Sequence, residues 1–218
     1  MFIGHFGVAM AAKHVAPAAS LGTLVLAAQL ADGLWPFFVL LGLEQVRIDP
    51  GITRVVPLDF VKFPYTHSLA ADIVWAALFA LVYGFARKQW RAAAWLALLV
   101  LSHWVLDAVS HRPDVPLWPG GPKVGLGLWN SLPATLVVEC GLFLLGVYVY
   151  LRATRARDLR GIVLFALFAV TLGVLYVASV FGPPPPSVQA LVITGLLGWL
   201  FVAWGYWIDR HRVPAAAV

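Results

Sequence analysis

Stretches of about 20 mostly apolar residues recur along this chain, separated by short polar or proline-containing breaks, and that is the length an α-helix needs to cross a hydrocarbon core about 30 Å thick. In lipid, backbone N–H and C=O groups must be satisfied within the segment or in a closed barrel, so uninterrupted runs of this length predict helices. The runs fall near residues 19 to 43, 66 to 86, 91 to 111, 132 to 152, 161 to 182 and 187 to 208. The expected fold class is therefore all-α, a polytopic transmembrane helix bundle of about six spans. With 61% hydrophobic and 11% charged residues, the composition excludes an ordinary soluble domain. We expect one integral membrane domain over 1 to 218, in which 1 to 131 carry the polar chemistry and 132 to 218 add spans.

Charge placement gives the expected orientation. Lys13, Arg87, Lys88, Arg91, Arg152, Arg155, Arg157, Arg160, Arg210 and Arg212 fall at one end of the expected spans, whereas Arg47, Arg54, Lys62, Arg112 and Lys123 fall at the other. By the positive-inside rule the first set is cytoplasmic, with both termini inside and the long loops 44 to 65 and 112 to 131 outside. This distribution accounts for the net charge of +5, and no nucleic-acid partner is expected. The opening "MFIGHFGVAMAAKHVAP" lacks an early basic cluster and reads as retained rather than as a cleaved signal. Its first 17 residues are too short to span. They form either a helix that re-enters the bundle, with Lys13 and His14 near the surface and His5 about 12 Å deeper, or a flat interfacial helix. His211 also reads as a surface residue. Trp35, Trp90, Trp118, Trp129 and Trp207 read as headgroup anchors, and Pro183 to Pro186 as a stiff link. The lone Cys140 excludes an intrachain disulfide.

The unusual feature is the polar content of the spans. In "LSHWVLDAVSHRPDVP", His103, Asp107 and His111 are spaced four apart, which aligns them on one helical stripe suited to a divalent ion. "PYTHSLAADIVW" sets His67 and Ser68 at the mouth of the second span. There Ser68 suits an N-cap or a supporting hydrogen bond, and Asp72 ranks low as a ligand because it does not share a face with His67. Asp32 lies in the first span and Glu139 in the fourth. Ionisable groups at such depth cost a few kcal/mol on insertion scales and mark function by default. Asp32, Asp72, Asp107 and Glu139 are all acids, and no Lys or Arg lies deep in a span to neutralise them. Either some are protonated or a cation compensates them, and the neighbouring histidines favour the cation.

The "GHF", "LADGLWP", "YTHSL" and "SHWVLDAVSHRPD" segments resemble the YdjM-like family of bacterial inner-membrane proteins assigned as metal-dependent hydrolases, over roughly residues 3 to 131. The family's Asp-x-Asp motif is represented here by Asp32, Gly33 and Leu34, so its second carboxylate is missing. In ligand order alone, His5, Asp32, His67, His103 and Asp107 are also similar to the zinc-dependent phospholipase C and single-strand nuclease superfamily. That superfamily has a later His-x-x-x-Glu element, where this chain has Thr135 before Glu139, so the likeness implies one or two ions rather than three.

These readings give a bacterial inner-membrane hydrolase that acts on an ester or phosphoester of a lipid or amphiphile. A divalent metal, expected to be zinc, is held by Asp32, His67, His103 and Asp107, with His5 and His111 as further ligands. Glu139 is the expected base, and Asp107 also orients water. A cation- or proton-coupled transporter would use the same acids and histidines, and a structural protein would use them only to join helices.

Overall fold

The computed structural model describes residues 1–215 of the chain. It is a helical bundle built from α1 (Ile3–Ala11), α2 (Leu21–Ala28), α3 (Leu30–Leu40), α4 (Leu69–Arg87), α5 (Trp90–Ser110), α6 (Leu132–Ala153), α7 (Leu159–Phe181), α8 (Val188–Leu197) and α9 (Trp199–Arg210). α4, α5, α6, α7 and the nearly continuous α8–α9 pair are long and apolar enough to cross a membrane. α2 and α3 together pass the same test as one segment bent by 55°, which brings the number to six. Large apolar side chains face outward along these helices, Val82 and Phe85 being about 70% exposed. Water would penalise that surface, and lipid would not.

The first segment departs from the expected straight span. It breaks at Gln29, seven residues before Pro36, and the proline is carried inside α3. At the break the carbonyl of Ala28 accepts from His103 Nδ1 at 2.8 Å, so a side chain of α5 satisfies a backbone group at the end of α2. The bend also sets Asp32 in the first turn of α3.

The amino-terminal helix resolves its two sequence readings in favour of the buried one. Ile3, Gly4, His5, Phe6, Gly7, Ala9 and Met10 are all buried, and α1 packs mainly on α6, then on α2 and α5. Gly7 and Gly146 make the close approach possible: a Cβ on Gly146 would lie 2.1 Å from the Gly7 carbonyl oxygen. Small residues at such crossings let backbones meet directly, a recurrent device in membrane bundles. The later spans thus help form the scaffold that holds the amino-terminal histidine.

Two basic residues expected at the surface are buried. Lys13 donates to the Ala19 carbonyl at 2.7 Å and lies 3.7 Å from Asp209, whose other oxygen accepts from Leu21 N–H. Arg212 lies over the stacked rings of Tyr150 and Phe165 and donates to Thr154 and Gly161, beside a short ladder pairing β5 (Thr154–Ala156) with β6 (Arg212–Pro214). At both positions a local acceptor set offsets desolvation of the charge. His14 is exposed as expected, whereas His211 is partly buried and pairs with Asp158 at 2.8 Å.

The two long loops are more ordered than the sequence suggests. β1 (Gln45–Ile48) pairs with β2 (Leu58–Lys62), and β3 (Val115–Pro116) pairs with β4 (Lys123–Val124). The loops meet where Arg112 bonds Asp59 and Arg54 N–H donates to the Trp129 carbonyl. Trp35 forms a small core with Val46 and Phe63, and Trp129 is buried against His111. These two indoles are packing residues, whereas Trp90, Trp118 and Trp207 are about half exposed, as interfacial anchors would be.

Ser68 caps α4, accepting from Ala71 N–H at 3.2 Å and donating to the Pro64 carbonyl at 2.6 Å. Ser68→Ala is expected to cost about 1 kcal/mol of stability, as lost caps typically do, measured as an earlier thermal transition in detergent.

Candidate metal centre

The end of α5 supplies the centre of the site. His103 and Asp107, one turn apart, are both almost fully buried, and Asp107 Oδ2 lies 3.2 Å from His103 Nε2. Around them gather His5 from α1, Asp32 from α3 and His67 from the turn before α4. His5 Nε2 is 3.1 Å from Asp107 Oδ1, and His67 Nε2 is 3.3 Å from Asp32 Oδ1 and 3.8 Å from Asp107 Oδ2. Asp32 Oδ1 is also 3.8 Å from His103 Nε2. The rings of His5 and His103 stack at 3.9 Å. Two ligand triads result, His5 with His103 and Asp107, and Asp32 with His67 and His103, each with its donor atoms within 4.8 Å of one another. They share His103, whose single outward nitrogen serves one ion, so they are alternative descriptions of one centre.

Partners behind the imidazoles determine which nitrogen faces the centre. His103 Nδ1 points at the Ala28 carbonyl, which can only accept, so Nδ1 carries a hydrogen and Nε2 is the nitrogen that faces the centre. Among the described residues, Nε2 has no hydrogen-bond partner despite its closeness to Asp107. His67 Nδ1 is 2.6 Å from Thr66 Oγ1, and that hydroxyl donates its one hydrogen to Glu44 Oε2 at 2.7 Å. The hydroxyl must therefore accept from His67 Nδ1, which turns Nε2 toward Asp32 Oδ1. Glu44 is held in place by the N–H groups of Tyr65 and Thr66. His111 repeats the arrangement: Nδ1 faces Asp114 Oδ1 at 2.9 Å and Nε2 faces Asp107 Oδ2 at 3.8 Å. Burial against Phe60, Phe63 and Trp129 pushes the His111 imidazole below its ordinary pKa, which favours the neutral ring.

Three imidazoles thus turn Nε2 toward carboxylate oxygens. A cation between such a nitrogen and a carboxylate oxygen, whether a proton or a metal ion, satisfies both, and a histidine whose second nitrogen is hydrogen-bonded is the usual form of a metal ligand. The donor set, imidazole nitrogen with carboxylate oxygen and no thiolate, suits a zinc-class divalent ion. The residues present fit such a group. Asp32 is the open side of the centre, its side chain being 47% exposed while those of His5, His67, His103 and Asp107 are at most 5% exposed.

Several sequence expectations change in detail. His111, expected as a further ligand, is buried but lies outside both triads. Glu139 accepts from Phe2 N–H at 2.7 Å and Gly4 N–H at 3.4 Å, anchors the start of α1, and belongs to neither triad. A cation does reach the acids, because the α-amino group of Met1 lies 2.5 Å from Asp107 Oδ1. One ammonium against Asp32, Asp72, Asp107 and Glu139 still leaves a carboxylate excess. Asp72, ranked low as a ligand, is almost fully buried, within electrostatic reach of His67 and His103, and neither of its oxygens has a hydrogen-bond partner among the described residues. Glu44, Thr66 and Asp114 were not anticipated at all. Their only sequence signal is adjacency, Thr66 to His67 and Asp114 three residues beyond His111.

The chain of groups behind His67 is testable. Thr66→Val keeps the shape but removes the acceptor, and it is expected to weaken metal affinity about 10- to 100-fold, the usual cost of losing an outer partner. Competitive titration against a chromogenic chelator measures it.

No protein-family model, curated protein or solved structure matches the chain. The class defined by fold and site together is a helical membrane protein with buried histidine and aspartate groups able to hold a metal ion.

Proposed function

We propose that this protein is a membrane-embedded, metal-dependent hydrolase of the YdjM-like type, acting on an ester or phosphoester of a lipid or amphiphile. The observation that carries this reading is the convergence of Nε2 of His67, His103 and His111 on Asp107, with the Nδ1 of each engaged elsewhere. When bound, the ion would supply Lewis acidity toward water and toward the oxygen of the scissile group. Asp32, His67, His103 and Asp107 would hold it, His5 packing behind as an alternative ligand. Asp32 is where a substrate meets the centre, since it alone of these side chains is substantially open. Asp72, buried with unpartnered oxygens nearby, is the group free to take up a proton, a role that Glu139 cannot fill while it holds the start of α1.

The proposed setting is the bacterial inner membrane, both termini cytoplasmic. The clustering of ten basic residues at one end of the spans supports it. Asp72 stands in the first turn of α4 and Asp107 in the last turn of α5, so the centre would lie toward the outer face, within reach of that leaflet's lipids.

The test is hydrolysis of a panel of phospholipids and lipid esters by purified wild type, chelator-treated protein and the His103→Ala variant. Turnover lost on chelation, restored by zinc, and absent from the variant is the expected result. Turnover indifferent to chelator and variant would remove the hydrolase reading.

One observation favours a second reading. The span carrying Asp32 is broken beside the centre, and transporters commonly build cation sites at broken helices. A carrier would let a cysteine at position 32 be labelled from both membrane faces, whereas a hydrolase would admit label from one.

A further inference from the structure

Away from the metal centre, α4 packs along α5 and α2 packs along α9, and between these pairs lies a groove of about 590 Å³. Its two ends differ in chemistry. Near the metal centre its wall is apolar, formed by Leu26, Leu30, Trp75 and Phe79. At the far end it is polar: Ser20 Oγ, Thr23 Oγ1 and Tyr206 OH form a hydrogen-bonded row at 2.8 and 3.1 Å, and Tyr83 and Arg87 complete it. Lys88 and Arg91 follow at once in sequence, so this end carries a basic cluster. Asp209, the acid on the neighbouring end of α9, is already engaged by Lys13 and Leu21 N–H. Arg87 pairs with no acid among the described residues.

Length narrows the choice of occupant. From Trp75 to Arg87 along α4 the groove runs about 18 Å, at 1.5 Å per residue, slightly more than one leaflet of a hydrocarbon core about 30 Å thick. A guanidinium with hydroxyl donors at one end, then a leaflet's depth of apolar wall, matches a phosphate joined to an acyl chain. It does not match an extended peptide, whose backbone polar groups would find no partners along the apolar wall. The helices around the groove cross the membrane, so its open side faces lipid.

We infer that this groove is a binding site for one anionic phospholipid, its phosphate held at the Arg87, Tyr83 and Tyr206 end and one acyl chain lying along α4 toward Trp75. The chain would reach Leu26 and Leu30, which stand on either side of the break at Gln29. The lipid would therefore fill the space beside the bent segment that presents Asp32. This site is distinct from the metal centre and does not require the hydrolase reading.

Native mass spectrometry of the full chain tests it, with protein reconstituted in equal amounts of phosphatidylglycerol and phosphatidylcholine and then released. Metal content is measured on the same samples. Wild type is expected to retain one phosphatidylglycerol per chain with about a fivefold preference, the worth of one basic residue near an anionic surface. Arg87→Gln should erase the preference. Ala86→Trp, which fills the polar end from an exposed helical position, should abolish retention without changing metal content. Equal retention of both lipids by wild type, no retained lipid, or retention unchanged in either variant would overturn the proposal. Should Ala86→Trp fail to fold, the comparison of wild type with Arg87→Gln still decides it.

Discussion

Asp107→Asn is expected to leave the chain unable to retain a divalent ion and to abolish metal-dependent stabilisation. Asp107 faces every histidine of the centre: Oδ1 meets the Met1 amine and His5, and Oδ2 meets His67, His103 and His111. Asparagine keeps the shape but replaces one oxygen with an N–H₂ donor and removes the charge that offsets the ion. The loss should exceed the about 10- to 100-fold cost of changing an outer partner such as Thr66. The readout is a thermal transition with and without added zinc. An ion at 100 times its Kd stabilises wild type by about 2.7 kcal/mol, and the variant should show no such increment. If zinc stabilised Asp107→Asn as it does wild type, the ion would be bound somewhere else.

Gly146→Ala should rank with it in effect, although position 146 bears no chemistry. An added Cβ would lie 2.1 Å from the Gly7 carbonyl oxygen and 2.6 Å from Gly7 Cα, both of them backbone, so no rotamer change relieves the clash. α1 must move off α6. The expected cost is about 3 kcal/mol, the upper end of the overpacking range, because the obstacle is a rigid helix. His5 would leave Asp107 with α1, and metal affinity should fall in parallel. Gly141→Ala on the same helix is the control: its Cβ would meet nothing within 4 Å, and replacing a helical glycine there should be neutral or slightly stabilising. Equal thermal stability of the two variants would show that the α1–α6 crossing is not under this constraint.

The sequence and structure agree where the information is local and diverge where it is not. His103 and Asp107 could be paired from their spacing because one helical turn brings residues four apart together whatever the rest of the chain does. The spans could be placed because a bilayer imposes their length, and Ser68 could be identified as a cap from its position before α4. Glu44 could not be connected to His67, since 23 positions and a β-hairpin intervene and only the folded loop brings Thr66 between them. The break at Gln29 has no glycine or proline at its locus, and its free carbonyl is satisfied by a histidine 75 residues away. Asp72 ranks low as a ligand from its face on α4 and lies in neither triad, but its burial depends on α5 packed against α4, which spacing along α4 does not reveal. The environment of Glu139 is non-local for a related reason: the N–H groups that its carboxylate accepts from stand at the start of another helix.

Locating the ion is the most direct trial of the centre. Anomalous diffraction above and below the zinc edge, on crystals of protein purified without added chelator, should give a single peak per chain between Asp32, His67, His103 and Asp107. A peak anywhere else, or no peak from protein whose elemental analysis shows no stoichiometric metal, would contradict it.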